Sequence, residues 1–197
     1  MINVFKLFSL TLVFVFSTTL YAQSVTPLAF SIWDPFAFPQ ATQVQGLRLG
    51  LFYAKNTVVS GLDLGLVQHT TERSSGLMLA GINMANVSTG FQAGLFNLNH
   101  QSWGFSLGLF NYIDEANCPT VGLLYNQATF SSTGPQMGFY NTASKNVGIQ
   151  VGVLNNSMDS TGLQFGLVNV SEVQKTGLQI GLINISNGSI MPFFKFN

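Results

Sequence analysis

Charge is what this chain has least of. Charged residues make up 7% of its 197 positions, against about 25% in an ordinary soluble domain. Seven cations balance seven anions, and no basic cluster stands out, so the electrostatic footprint of a nucleic-acid binder is missing. Cysteine is almost absent too. Cys118 stands alone, so no internal disulfide staples the fold. Nor are there long apolar runs. Apolar residues reach 47%, yet past residue 22 no run attains the ~18 needed for a helical membrane span. Much apolar content without long runs points to alternation, the signature of strands.

Chemistry is equally scarce. His69 and His100 lack metal-type spacing. No phosphate loop or Cys-x-x-Cys occurs. Most of the acids fall in turns of different repeats, and the adjacent pair Asp114 and Glu115 lies in an extended segment whose neighbouring side chains point apart. Cys118 sits in a slot otherwise held by Gly and reads as a small-residue replacement. The expectation is a non-enzymatic protein with no catalytic, cofactor-binding or metal-binding residues.

The first 22 residues read as an export signal. Lys6 supplies the positive charge, Leu7–Phe16 form an apolar core broken by Ser9 and Thr11, and the polar exit Ser17–Ala22 places cleavage after Ala22. Residues 23–197 then form a single β-repeat domain.

A phrase Gly-Leu-x-φ-Gly-Leu-φ-Asn, with φ apolar, returns every 14 to 16 residues between 46 and 184. Its ten copies begin at Gly46, Gly61, Gly76, Gly90, Gly104, Cys118, Gly134, Gly148, Gly162 and Gly177. A fixed short period means a repeat architecture. With the first Gly as position 0, positions 1, 3 and 5 share one side of a strand and carry no charged or polar side chain in any copy. The other side carries Gly at positions 0 and 4 in eighteen of twenty cases. Position 2 there is mostly polar: Arg48, Asp63, Gln92, Gln136, Gln150, Gln164 and Gln179 among others. Position 6 is always apolar, and Asn at position 7 reads as a strand-to-turn exit.

Two architectures use such a period. A parallel solenoid makes each repeat one coil, with Asn and Gln stacked in ladders. An eight-residue straight strand spans about 23 Å, and the remaining residues are too few to return that distance unless the strand breaks near its second Gly. The return segments also lack a repeated inward apolar pattern. The favoured expectation is therefore an antiparallel β-meander of about 12 strands, closed into a barrel, with a β-solenoid or two-sheet sandwich as alternatives. Flanking strands at 26–33 and 191–197 complete the even number that closure needs. With Leu, Ile and Phe outside, the polar residues at position 2, from Arg48 and Asp63 to Gln179, would face a lumen, and position 6 would constrict it. That describes an outer-membrane barrel with a structural or narrow-channel role, in contact with membrane lipid. The alternative is a soluble exported binding or adhesion module with Leu turned inward.

The copies Gly162-Leu-Gln-Phe-Gly-Leu-Val-Asn169 and Gly177-Leu-Gln-Ile-Gly-Leu-Ile-Asn184 resemble those of bacterial "surface repeat" proteins. Ser31-Ile-Trp-Asp-Pro-Phe-Ala-Phe-Pro39, followed by Gly46-Leu-Arg-Leu-Gly-Leu51, is similar to that family's opening motif. The copies at Gly76 and Cys118 depart from the pattern. The resemblance implies an exported protein of the outer membrane or cell surface, and it implies no known activity.

Overall fold

The computed structural model describes residues 25–196. The signal-like segment 1–22 lies outside the described residues. Each repeat makes one coil of a parallel β-solenoid. The first row is β1 (Val25–Trp33), onto which β2 (Phe36–Phe38) folds back antiparallel. The long β3 (Gln43–Ser88) holds the coils opened by Gly46, Gly61 and Gly76. One coil each follows in β4 (Phe91–Ser102), β5 (Phe105–Ala116), β6 (Thr120–Ser132), β7 (Gln136–Asn146) and β8 (Ile149–Ser160). The next coil is split into β9 (Leu163–Phe165) and β10 (Val168–Gln174), and β11 (Leu178–Ser186) is the last. From β1 to β11 successive rows pair parallel, and β12 (Ser189–Phe196) closes the stack antiparallel to β11.

This overturns the antiparallel meander and the barrel. The segments expected at 26–33 and 191–197 are strands as far as the described residues go, in β1 and β12, but they cap opposite ends of the stack and do not pair. The error has a physical source. The geometric objection to a coil assumed a straight eight-residue strand, and the chain turns at its second Gly instead. In the coil opened by Gly162 the turn separates β9 from β10 at Gly166–Leu167. About 14 residues at ~3.3 Å per step then close a perimeter of roughly 46 Å.

Glycine holds both corners because successive backbones meet there. A Cβ on Gly152 would stand 2.2 Å from the Gly138 carbonyl oxygen and 2.6 Å from Asn141 Nδ2. A Cβ on Gly162 would stand 2.0 Å from the Gly148 carbonyl oxygen.

The corner also changes which residues face out. Leu182 and Ile183, at positions 5 and 6, are both exposed, and Asn184 is buried. Position 6 therefore does not constrict an interior, because the turn breaks the alternation that placed it inside. Extra residues are absorbed locally. The coil opened by Cys118 shifts register between Gly122 and Tyr125 and again between Ala128 and Ser131, which restores pairing of Asn126 with Asn111 and Asn141. The Gly76 coil keeps register with its neighbour despite Ala80-Gly81.

Candidate functional site

The interior is mostly polar, with small apolar clusters at Ala29, Val44 and Val59 and at Ile113, Ala116, Ala128 and Ala143, and many of its polar side chains bond along the stack. Eight asparagines, Asn83, Asn97, Asn111, Asn126, Asn141, Asn155, Asn169 and Asn184, form one column. Seven bonds of 2.6–2.9 Å join them, each Nδ2 donating to the Oδ1 of the next. The same Nδ2 donates to the position 3 carbonyl of the following coil, as Asn141 does to Val151 at 2.9 Å and Asn155 to Phe165 at 2.9 Å. Asparagine three residues past the corner Gly thus serves a carbonyl at the bend. Its sequence reading as a turn exit missed this role, though the fixed spacing from Gly carried the signal.

Glutamines form a second column of opposite polarity. Gln179 donates to Gln164 at 2.7 Å, Gln164 to Gln150 at 2.8 Å and Gln150 to Gln136 at 2.8 Å. Gln164 Nε2 also reaches the Val170 carbonyl at 3.3 Å, bracing the short side of the coil against the long one. Gln92, at the same position, runs the other way, donating forward to Ser106 Oγ at 2.7 Å. At the N-terminal end Arg48 and Asp63 occupy the same position, fully buried and paired. Burial pushes the Asp63 carboxyl above its usual range, against the pull of the two Arg48 bonds. At the C-terminal end Lys195 pairs in register with Gln179 and donates to the Ser186 and Ser189 carbonyls and to Ser189 Oγ. All seven residues expected to face a lumen, Arg48, Asp63, Gln92, Gln136, Gln150, Gln164 and Gln179, are buried. They fill the inside of the coils, where no barrel lumen exists for them to line.

The exterior is the reverse. Positions 1 and 3 build two outward columns, for example Leu79, Ala93, Leu107, Val121, Met137 and Val151 in successive rows. β1 extends them with Leu28 and Phe30, and β12 with Phe196 and Phe194. Round the corner, positions 5 and 6 add Leu95, Leu123, Phe139, Leu167 and Leu182, all exposed. Phe96 stacks on Phe110 at 5.1 Å, and Tyr125 stands 5.2 Å from Tyr140. Outside the buried interior, every charge from Lys55 to Lys175 lies nine to thirteen residues after the Gly (or Cys118) that opens its coil. Charge is therefore confined to one side of the solenoid, a side that also exposes Phe130, Met158 and Val173, while the faces at positions 1, 3, 5 and 6 carry apolar residues alone. Contiguous exposed apolar surface beyond a few hundred Å² is uncommon on monomeric soluble proteins.

Groups that could do chemistry are scattered. Among the described residues no cluster of three His, Cys, Asp or Glu could hold a metal ion. His100 and Asp114 pair at 2.7 Å on the exposed charged side. His69 Nδ1 meets Tyr53 Oη at 2.9 Å, and burial together with the Lys55 and Arg48 charges holds the imidazole below its ordinary value. Cys118 is buried, its thiol donating to Ser102 Oγ at 3.1 Å. An open cleft of about 280 Å³ between Tyr125, Gln127, Thr142 and Met158 contains no acid, imidazole or thiol. Among the described residues no helix is long and apolar enough to cross a membrane. Comparison of the chain with protein-family models, with curated proteins and with solved structures finds no match.

Proposed function

We propose that this is an exported, non-enzymatic protein of the bacterial outer membrane or cell surface, which works by docking through its apolar exterior. The observation that carries this reading is the separation of surfaces: outward Leu, Phe, Ile and Val columns on one side, all exterior charge of the coils on the other. A chain that needed only to be soluble would gain nothing from leaving Leu123, Leu167 and Leu182 in water while burying Gln136, Gln150 and Gln164. At ~25 cal/mol per Å² the arrangement forgoes burial that most folds depend on, and a docking partner restores it. The signal-like residues 1–22 and the resemblance to surface repeat proteins support export.

The test is fractionation of expressing bacteria, comparing the natural chain with a variant carrying Leu123→Gln, Leu167→Gln and Leu182→Gln. The natural chain is expected with the outer membrane or cell surface and the variant in the soluble exported fraction. Identical distribution of two folded proteins would contradict docking through this surface.

A further inference from the structure

Given that the apolar exterior is the docking surface, we infer that its occupant is the hydrocarbon of a lipid bilayer, entered from one side, with the solenoid axis lying in the membrane plane. Three observations lead there.

The first is shape. Twelve rows at ~4.8 Å give a stack of roughly 50 Å. The face at positions 1 to 3 is only about 10 Å wide, so it offers roughly 500 Å², below the ~800 Å² per partner of a standard protein interface. The apolar surface reaches a larger area only by turning the corner at Gly152, Gly166 and their equivalents. A fluid hydrocarbon phase follows such a convex edge, whereas a flat second copy covers one face and leaves the other in water.

The second is hydrogen bonding. Backbone groups along the sides of the stack pair between coils, and the Asn column serves the carbonyls at the bend. Between the end rows this pairing meets what hydrocarbon requires, whereas β12, paired only with β11, leaves its outer edge open at the end of the stack.

The third is the placement of charge and of amphipathic rings. Charges lie along the stack from Lys55 to Lys175, so an axis perpendicular to the membrane would carry them through the hydrocarbon. With the axis in the plane they all stay in water. Tyr112, Tyr125 and Tyr140 form a continuous row of rings at one boundary between apolar and charged sides. Trp103, 58% exposed, stands at the other boundary, one residue before Gly104. Tyr and Trp favour this level of a membrane, apolar body inward and polar tip outward. The balanced charge adds that attachment does not depend on anionic lipid.

The test uses the chain without residues 1–22 and vesicles of pure phosphatidylcholine. Flotation with the vesicles is expected, unchanged between 0.05 and 0.5 M salt as the Debye length shortens from about 14 to 4 Å. Leu167→Gln with Leu182→Gln should weaken partitioning roughly tenfold or more, and Lys145→Gln should leave it unchanged. Both leucines are more than half exposed, so folding is not at stake. An environment-sensitive dye on Leu167→Cys, in a Cys118→Ser background, should shift to the blue on vesicles, and the same dye on Lys145→Cys should not. A folded chain that fails to float, or binding abolished by salt, would overturn the lipid assignment. If that chain instead forms a dimer that Leu167→Gln dissolves, lipid is wrong while docking through the apolar surface stands. If neither vesicles nor a second copy respond to these leucines and the cell fractionation is also unchanged, the docking reading itself fails.

Discussion

Arg48 holds Asp63 through two bonds, Nε to Oδ1 at 2.7 Å and Nη2 to Oδ2 at 2.5 Å, inside a column that from Met78 to Gln179 holds only uncharged side chains. Arg48 further donates to Asn56 Oδ1, Thr70 Oγ1 and the His69 carbonyl. Both groups have left water, so removing one leaves the other buried and unpaired. Asp63→Ala is expected to cost about 3–5 kcal/mol. Replacing both, as Arg48→Gln with Asp63→Gln, substitutes a rung of the Gln150–Gln136 kind and should cost less than either single change. Urea unfolding of the four proteins decides this. A double variant as unstable as the sum of the singles would show that the N-terminal coils cannot accept the amide ladder.

The asparagine column should respond to single substitutions. Asn141 accepts from Asn126 and donates to Asn155 and to the Val151 carbonyl. Asn141→Ala strands these groups, at ~1–3 kcal/mol for each left unpaired, and should destabilise by several kcal/mol. Asn141→Asp can still accept but no longer donate, and it buries a charge. It should be worse than Ala at neutral pH and recover as acid protonates the carboxyl. Equal stability of Asp and Ala variants across pH would contradict the bonding.

Corner and turn glycines should differ sharply. Gly152→Ala drives a Cβ against backbone and should unfold or rearrange the coil. Gly188, in the turn before β12, has φ +71 with nothing within 4 Å of an added Cβ, so alanine there meets only the left-handed backbone penalty of ~1–2 kcal/mol. Thermal melts of the two variants, with similar midpoints, would argue against close backbone approach at position 4.

Acid should weaken the fold through His69. Its folded value is depressed below 6.5, so as pH falls through 6.5 the unfolded chain takes up its proton first and stability is lost from there down to the folded value. Asp63 has the opposite sign: its raised value makes stability fall as pH rises from 3.8 toward the folded value. Comparison with His69→Gln cancels the Asp63 contribution. The natural chain's urea midpoint should drop between pH 7.5 and 5.5 more steeply than that of His69→Gln. Parallel slopes would mean that the imidazole titrates as it does in the unfolded chain.

The repeat, its two glycine slots and the opposition of Leu163, Phe165 and Leu167 to Gln164 are legible in the sequence because side-chain alternation is local. The bend at position 4 is not. Glycine permits it without announcing it, and a straight strand made the solenoid look too short to close. No repeated inward apolar pattern was visible in the return segments, which argued against a second side, yet Ile113, Ala128 and Ala143 pack inward there in one row. In fact Ser157, Ser171 and Asn155 line the interior there, and the stacking of like amides supplies what apolar contact supplies elsewhere. The sequence reading placed Leu outside only in a membrane barrel and turned it inward in every soluble arrangement, barrel, sandwich or solenoid. The molecule combines the solenoid with Leu outside. The neighbouring rings of Tyr125 and Tyr140 escaped notice because their alignment depends on the register shift in the Cys118 coil, and Tyr112 reaches Tyr125 from the adjoining row.

The parallel coil is tested most directly by a disulfide between Lys145→Cys and Asp159→Cys in a Cys118→Ser background. These residues are cross-strand partners in β7 and β8, and neighbouring strands lie ~4.8 Å apart, within the usual Cα separation for a disulfide of about 4.4–6.8 Å. Mild oxidation should give a rapid intramolecular link in the folded chain. In an antiparallel arrangement the same two positions lie a strand length apart, so a folded protein that does not form the link would contradict the solenoid and, with it, the apolar exterior on which the proposed function rests.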